Sequence, residues 1–238
     1  MQQAAEAVRP DGGHGGGAPV IAVVGGSGGV GASSFAAVLA LSAGAALLVD
    51  LDPSGGGIDV LLGIEHAAGA RWSGLQLDGG PLSPDTLLAG LPRCGRSAVL
   101  AADTARLDAA AVDQVLGVAA TAGPVVVDLP RVVSDVRAAA LAHAWLVVVL
   151  ARGDVAGLVA AHAVTATLPD VPRALVVRRG RVSAAQAAEL IGIPLLGELP
   201  AAGAPGALDP DRLPRAAARL AAGVLDGLGV GPGSGGER

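Results

Sequence analysis

The stretch Val20-Ile-Ala-Val-Val-Gly-Gly-Ser-Gly-Gly-Val-Gly-Ala-Ser-Ser34 decides how this chain folds. Val20–Val24 is an uninterrupted apolar run without polar alternation, the pattern of a strand buried on both faces. It enters a glycine-rich turn and then opens a helix. Glycines allow positive φ and let backbone N–H groups approach an anion closely, while the head of the helix adds the positive end of its dipole. Strand, turn and helix in this order read as an anion-binding loop rather than a plain connection.

The loop alone admits two ligands. Gly26, Gly28 and Gly31 spell GxGxxG, and the next apolar run ends in Asp50, near the spacing of a dinucleotide-binding unit. Equally, Gly26 to Ser33 is GxxxxG-Ala-Ser, a phosphate loop with Ala32 in the place of its lysine and Ser33 where a Mg²⁺-binding hydroxyl belongs. Two further stretches favour the phosphate loop. Asp50-Leu51-Asp52-Pro53 offers two carboxylates at a strand end, where a metal or an attacking water is held. Val125-Val126-Val127-Asp128 has the Walker B form, apolar strand residues followed by a carboxylate. The plainer reading makes Asp50 and Asp52 a turn cap before Pro53 and Asp128 an ordinary strand-end acid. Short-chain dehydrogenase chemistry is excluded, because the chain contains neither Tyr nor Lys. An oxidoreductase of another kind using NAD or FAD stays open, as does an interaction module that binds no nucleotide.

Outward from the loop, apolar runs alternate with alanine-rich helical stretches. Strands are expected at Val20–Val24, Ala46–Asp50, Ala98–Ala101, Val125–Leu129, Leu146–Leu150, Ala174–Val177 and Leu195–Glu198. Helices are expected near 33–43, 58–63, 83–90, 108–121, 134–143, 154–167, 183–190 and 211–228. This alternation gives an α/β fold, a mostly parallel sheet with helices on both faces in three layers. One domain over 19–229 is expected, after a flexible glycine-rich lead-in at 1–18 and before a disordered tail at 230–238.

Composition narrows the chemistry. Of 238 residues, 52% are hydrophobic and 16% charged, enough apolar material to fill a core. All 16 basic residues are arginine, which removes lysine Schiff bases and lysine phosphate contacts. With a net charge of −5 and scattered arginines, a nucleic-acid footprint is missing. A lone Cys94 forms no intrachain disulfide and suits a reducing cytosol; beside Arg93 and Arg96 its pKa has a reason to fall, yet in a loop without a histidine it reads as structural. The N-terminus has no apolar signal region, and the run from Trp145 to Ala151 falls far short of the ~20 residues that span a bilayer, so the chain reads as soluble and cytoplasmic. His66, His143 and His162 are scattered rather than clustered for a metal. Arg178, Arg179 and Arg181 form the one basic cluster, read first as a solvated loop, with contact to a base, a partner or DNA as the alternative. In the last helix Leu213, Leu220, Val224 and Leu228 share a side; docking on its own domain is favoured over a peripheral membrane contact, for aromatics and lysines are lacking.

Taken together, these pieces resemble the MinD/ParA family of deviant-Walker ATPases. The family's K-G-G-x-G-K-[ST] stands here as Ser27-Gly28-Gly29-Val30-Gly31-Ala32-Ser33. The form without lysine is similar to the CpaE-like branch, and within it to the actinobacterial septum-site-determining (Ssd) group. LLVDLDPSGGGIDVLLGIE (47–65), GARWSGL (69–75), VVVDLPR (125–131) and IGIPLLGELP (191–200) carry the same likeness. The resemblance implies ATP and Mg²⁺ as cofactors. Gly26, Ser27, Gly28, Gly29, Val30, Gly31, Ala32, Ser33 and Ser34 would form the phosphate loop, Ser33 and Asp128 would hold the metal, and Asp52 or Asp50 would position water. It implies a nucleotide-dependent homodimer, partners in division or pilus/secretion machinery, and a cytoplasmic location with membrane contact at the inner face as an option. Three departures accompany it. Lysine is absent at Ser27 and Ala32, the stretch from the loop to Asp50 is shorter than in relatives, and the glycine-rich lead-in stands where a receiver-like domain often precedes this module. Losing a lysine–phosphate bond costs about 1.5–3 kcal/mol, roughly one to two decades of affinity, so binding is expected to survive and hydrolysis to be slow or absent.

Overall fold

The computed structural model describes residues 17–77, 82–103, 106–201 and 208–231. The remainder of the expected lead-in and tail, 1–16 and 232–238, lies outside the described residues. Eight strands make one sheet: β1 Val20–Gly25, β2 Leu47–Asp50, β3 Arg93–Cys94, β4 Ser97–Leu100, β5 Val125–Leu129, β6 Leu146–Arg152, β7 Arg173–Arg178 and β8 Leu195–Leu199. Between them run helices α1 Ala32–Ser42, α2 Ile58–Leu61, α3 Pro84–Ala89, α4 Ala109–Ala119, α5 Asp135–His143, α6 Val155–Thr165 and α7 Ala184–Ile191, with α8 Arg215–Gly227 after the last strand. The strand order is β3-β4-β2-β5-β1-β6-β7-β8, parallel throughout except for β3.

The apolar runs lack alternation because both faces of the sheet are covered. Val20, Ala22 and Val24 of β1 pack with the inner residues of α3 to α7 on one face, whereas Ile21 and Val23 pack with α1, α2 and α8 on the other. Helix α1 lies between the sheet and α8, and six consecutive residues, Phe35–Ala40, are buried. A helix enclosed in this way needs no polar stripe, which explains its even run of Ala, Val and Leu. The apolar side of α8 is spent on its own domain: Ala217, Ala221, Val224 and Leu225 are buried in the same cluster as α1. Among the described residues no helix is long and apolar enough to cross a membrane.

The sequence expectation missed two elements and overran one. Arg93–Cys94 is a short antiparallel edge strand rather than loop, folded back on β4 through Gly95 and Arg96. A single 3-10 turn at Trp72–Gly74 buries Trp72. Helix α8 begins at Arg215 instead of 211, because Pro214 is its cap and the residue before a proline is pushed out of helical conformation.

Candidate functional site

The loop leaves β1 at its carboxyl end, in the middle of the sheet. Gly26 donates to the Leu150 carbonyl of β6 at 2.8 Å, and a Cβ there would lie 2.6 Å from Ala161 Cα of α6, so only glycine lets the chain pass. Val30 is buried and anchors the loop in the α1 side of the core. Gly31 caps α1 at φ 92° without any side-chain hydrogen bond. As the first N–H groups of the helix, those of Ala32, Ser33 and Ser34 have no partner within it. Gly28 and Gly29 are exposed, and Ser27 Oγ is buried with no hydrogen-bond partner.

Asp128 is the last residue but one of β5, the strand next to β1, in register with Val23 on one side and Asp50 on the other. Its carboxyl is pushed up to about 7, first by burial, with the hydrogen bond from Ser33 opposing and the charges of Asp50 and Asp52 adding to the rise. The structure thus brings Ser33 and Asp128 into contact at the head of α1. Asp50 is also buried, which raises its pKa, but both carboxylate oxygens are engaged: Oδ1 accepts the Asp52 N–H at 2.9 Å and Oδ2 the Ile58 N–H at 3.1 Å. Its own carbonyl accepts from Trp72 Nε1 at 2.9 Å. Asp50 therefore fastens the 51–58 turn, and the plainer reading of this residue describes its contacts. Asp52 is half-buried in that turn, its Oδ1 accepting the Ser54 N–H at 3.1 Å. It sits close enough to Asp128 to repel its charge.

Two arginines flank the loop: Arg131, to which the sequence gave no role, and Arg178, which it read first as part of a solvated loop and which the structure instead packs against the glycine turn. Arg178, at the end of β7, donates from Nε to the Val30 carbonyl at 2.7 Å and from Nη1 to the Pro200 carbonyl at 3.1 Å. Its guanidinium lies against Gly31, where any Cβ would overlap it. Burial pushes its pKa down. Arg131, three residues past Asp128, places Nη2 3.8 Å from the position a Gly28 Cβ would take. Among the described residues neither forms an ion pair with a carboxylate. The available signals were the position of Arg131 within VVVDLPR and that of Arg178 at a strand's carboxyl end. The rest of the basic cluster behaves as surface: Arg179 pairs with Glu198 at 2.6 Å, and Arg181 is exposed.

Cys94 departs from the expected loop but suits the structural reading favoured for it. It lies buried in β3, and burial, then the charge of Asp211, pushes its thiol up rather than down. His143 meets Asp113 at 2.8 Å on the far side of α5, while His66 and His162 are exposed on separate segments.

Strand order separates the two ligand readings of the loop. A dinucleotide unit sets the strand after the glycine helix directly beside the loop strand, so that its terminal acid reaches a ribose. Here β5 intervenes between β1 and β2. That order departs from the dinucleotide unit and sets Asp128, not Asp50, next to the loop strand.

No protein-family model matches the chain. Over 209 residues, 84% of its length, it is 44% identical to an uncharacterized protein of Mycobacterium tuberculosis, with the same figures for strains CDC 1551 and H37Rv. The chain spans 58% of the length of those relatives. Among solved structures, a ParA family ATPase from Chlorobium tepidum superposes with a TM-score of 0.68 over 92% of this chain and 93% of that one, at 17% identity. The septum site-determining protein MinD of Pyrococcus horikoshii, complexed with Mg-ADP, gives 0.58 over 91% and 90%, at 16% identity. The fold is that of the MinD/ParA ATPases.

Proposed function

We propose that this chain is a nucleotide-binding protein of the MinD/ParA type, from the CpaE-like branch and its septum-site-determining group. It holds ATP with Mg²⁺ in the Gly26–Ser34 loop and hydrolyses it slowly or not at all. The observation that carries the reading is the contact of Ser33 with Asp128 at the open head of α1. Next to them a loop with an unpartnered, buried Ser27 Oγ runs past two arginines that, among the described residues, no carboxylate neutralises.

The residues fit the group. The N–H groups from Gly28 to Ser34 line an anion cradle. Ser33 and Asp128 supply two oxygens for a cation that, alongside a nucleotide, takes only one or two protein ligands and fills the rest with water and phosphate. Among the described residues no set of three metal-ligating side chains converges, so the nucleotide has to complete that shell. When bound, ATP supplies a terminal phosphoryl group that water can accept, and Mg²⁺ neutralises charge on its phosphates. Asp52, in its exposed turn, orients the water. Arg178 keeps the Val30–Gly31 peptide in its cradle shape. No cation inside the loop steadies the transferred group, since Ser27 and Ala32 stand at both lysine positions, and this is why the chemistry is slow.

The biological reading follows the same branch. The chain acts as a nucleotide-dependent homodimer that places a machine, the division septum or a pilus/secretion apparatus, from the cytoplasm. Membrane contact through α8 is disfavoured, because its apolar side is already covered. Thermal shift with ATP–Mg²⁺, ADP–Mg²⁺, NAD, NADP and FAD tests the proposal: a ligand selective for the folded state raises Tm. A rise with the adenine nucleotides alone is expected. A rise with a dinucleotide overturns the reading, and no rise with any of the five leaves a scaffold. Phosphate release well above the buffer blank, and lost in Asp52→Ala, overturns slow hydrolysis.

A further inference from the structure

On the sheet face opposite α1, helix α5 and the 166–172 segment enclose a cleft of about 640 Å³, within the usual range for a small ligand. Ala138, Leu141, Leu168, Pro169 and Val171 make its walls apolar. The exception is Arg137, which lines the cleft yet is only 2% exposed. Its Nη1 donates to the Arg131 carbonyl at 2.9 Å and its Nη2 to Thr167 Oγ1 at 2.9 Å, while Nε is buried and donates to nothing. Among the described residues no carboxylate pairs with it, and burial alone pushes its pKa down. A structural tie between α5 and its neighbours explains two of the five guanidinium N–H groups. It does not explain a cation withdrawn from water without a counter-charge, an arrangement proteins otherwise avoid.

We propose that the cleft between α5 and the 166–172 segment binds a small amphiphilic monoanion, a carboxylate on a short apolar body, with its head on Arg137 and its body on the apolar walls. A carboxylate accepts from the guanidinium N–H groups that the Arg131 carbonyl and Thr167 leave unused, as a charge-assisted pair. Asp170, at the rim, disfavours a second negative charge. The site is separate from the nucleotide loop and does not depend on it. The two are neighbours through Arg131, whose carbonyl Arg137 holds and whose guanidinium lies beside Gly28.

Calorimetry and thermal shift on the full chain, without nucleotide, test this with octanoate as probe and 1-octanol and inorganic phosphate as controls. Octanoate is expected to bind one-to-one and at least about tenfold more tightly than either control, the usual value of a charge-assisted pair. Ala138→Phe, at an exposed position of α5, fills the cleft and is expected to abolish that binding while leaving the free protein's Tm unchanged. Arg137→Gln is expected to erase the preference for octanoate over octanol; should it fail to fold, Ala138→Phe decides alone. Octanol or phosphate binding as well as octanoate, no octanoate binding at all, or octanoate binding intact in Ala138→Phe overturns the proposal.

Discussion

On the β2 and β5 side of the loop stand three acids, two near strand ends and Asp52 in the turn after β2, with backbone N–H groups that grip Asp50 at both oxygens. On the β7 side stands Arg178, whose long side chain crosses from another strand to take hold of a loop carbonyl. The acids are confined and mutually repelling, and burial with that repulsion raises the pKa of Asp128 and Asp50. The arginine is satisfied by neutral carbonyls and shapes the loop whether or not a ligand is present. One flank therefore carries unrelieved negative charge, the feature on which the proposed Mg²⁺ site rests, and the other keeps the loop's form.

The largest break in this comparison is Asp128→Ala. ATP–Mg²⁺ affinity should fall about 100-fold, and calorimetry with EDTA should bring the wild type to the same level. Asp128→Asn separates cost from use. The folded-state pKa, about 7 against 3.8, lies above the unfolded one, so the wild type should lose stability as pH rises from about 4 to 7. The Asn variant should lack that slope and be more stable at pH 8 by on the order of 2–4 kcal/mol in urea titrations without Mg²⁺. Ala32→Lys sharpens the contrast by giving the loop its own cation: nucleotide should bind about 10–100-fold more tightly, by calorimetry. Arg178→Ala should weaken binding by about tenfold, equally with Mg²⁺ and with EDTA, since its contribution is to loop shape. Asp50→Asn has the smallest effect on nucleotide. It should loosen the 51–58 turn by about 1–2 kcal/mol in chemical denaturation and leave affinity within about threefold.

The sheet was legible because strands covered on both faces write themselves as unbroken apolar runs, and the loop because its glycines are demanded by geometry. Strand order was not: nothing local in Leu47–Asp50 records that β5 will slip between it and β1. The β3 edge escaped because two residues carry no periodicity. Ala-rich helices such as α1 and α6 show no polar stripe, so their buried faces could not be assigned from the pattern. The Ser33 and Asp128 positions could be picked from motif spacing, whereas Asp50 could not be told from Asp52 without seeing which one the backbone grips. Arg178 and Arg137 were illegible for a shared reason. An arginine's long stem lets its head act far from its own position, so sequence neighbourhood says little about its work.

Arg178 closes the loop from 148 positions further along the chain, and Pro200 anchors Arg178 in turn. During synthesis the glycine turn emerges first and stays unfinished until nearly the whole sheet has followed. The final shape of the loop is thereby set late in folding, by the gathering of distant contacts rather than by local helix formation. A chain halted before residue 178 would carry every residue of the motif and still lack the brace that sets its shape.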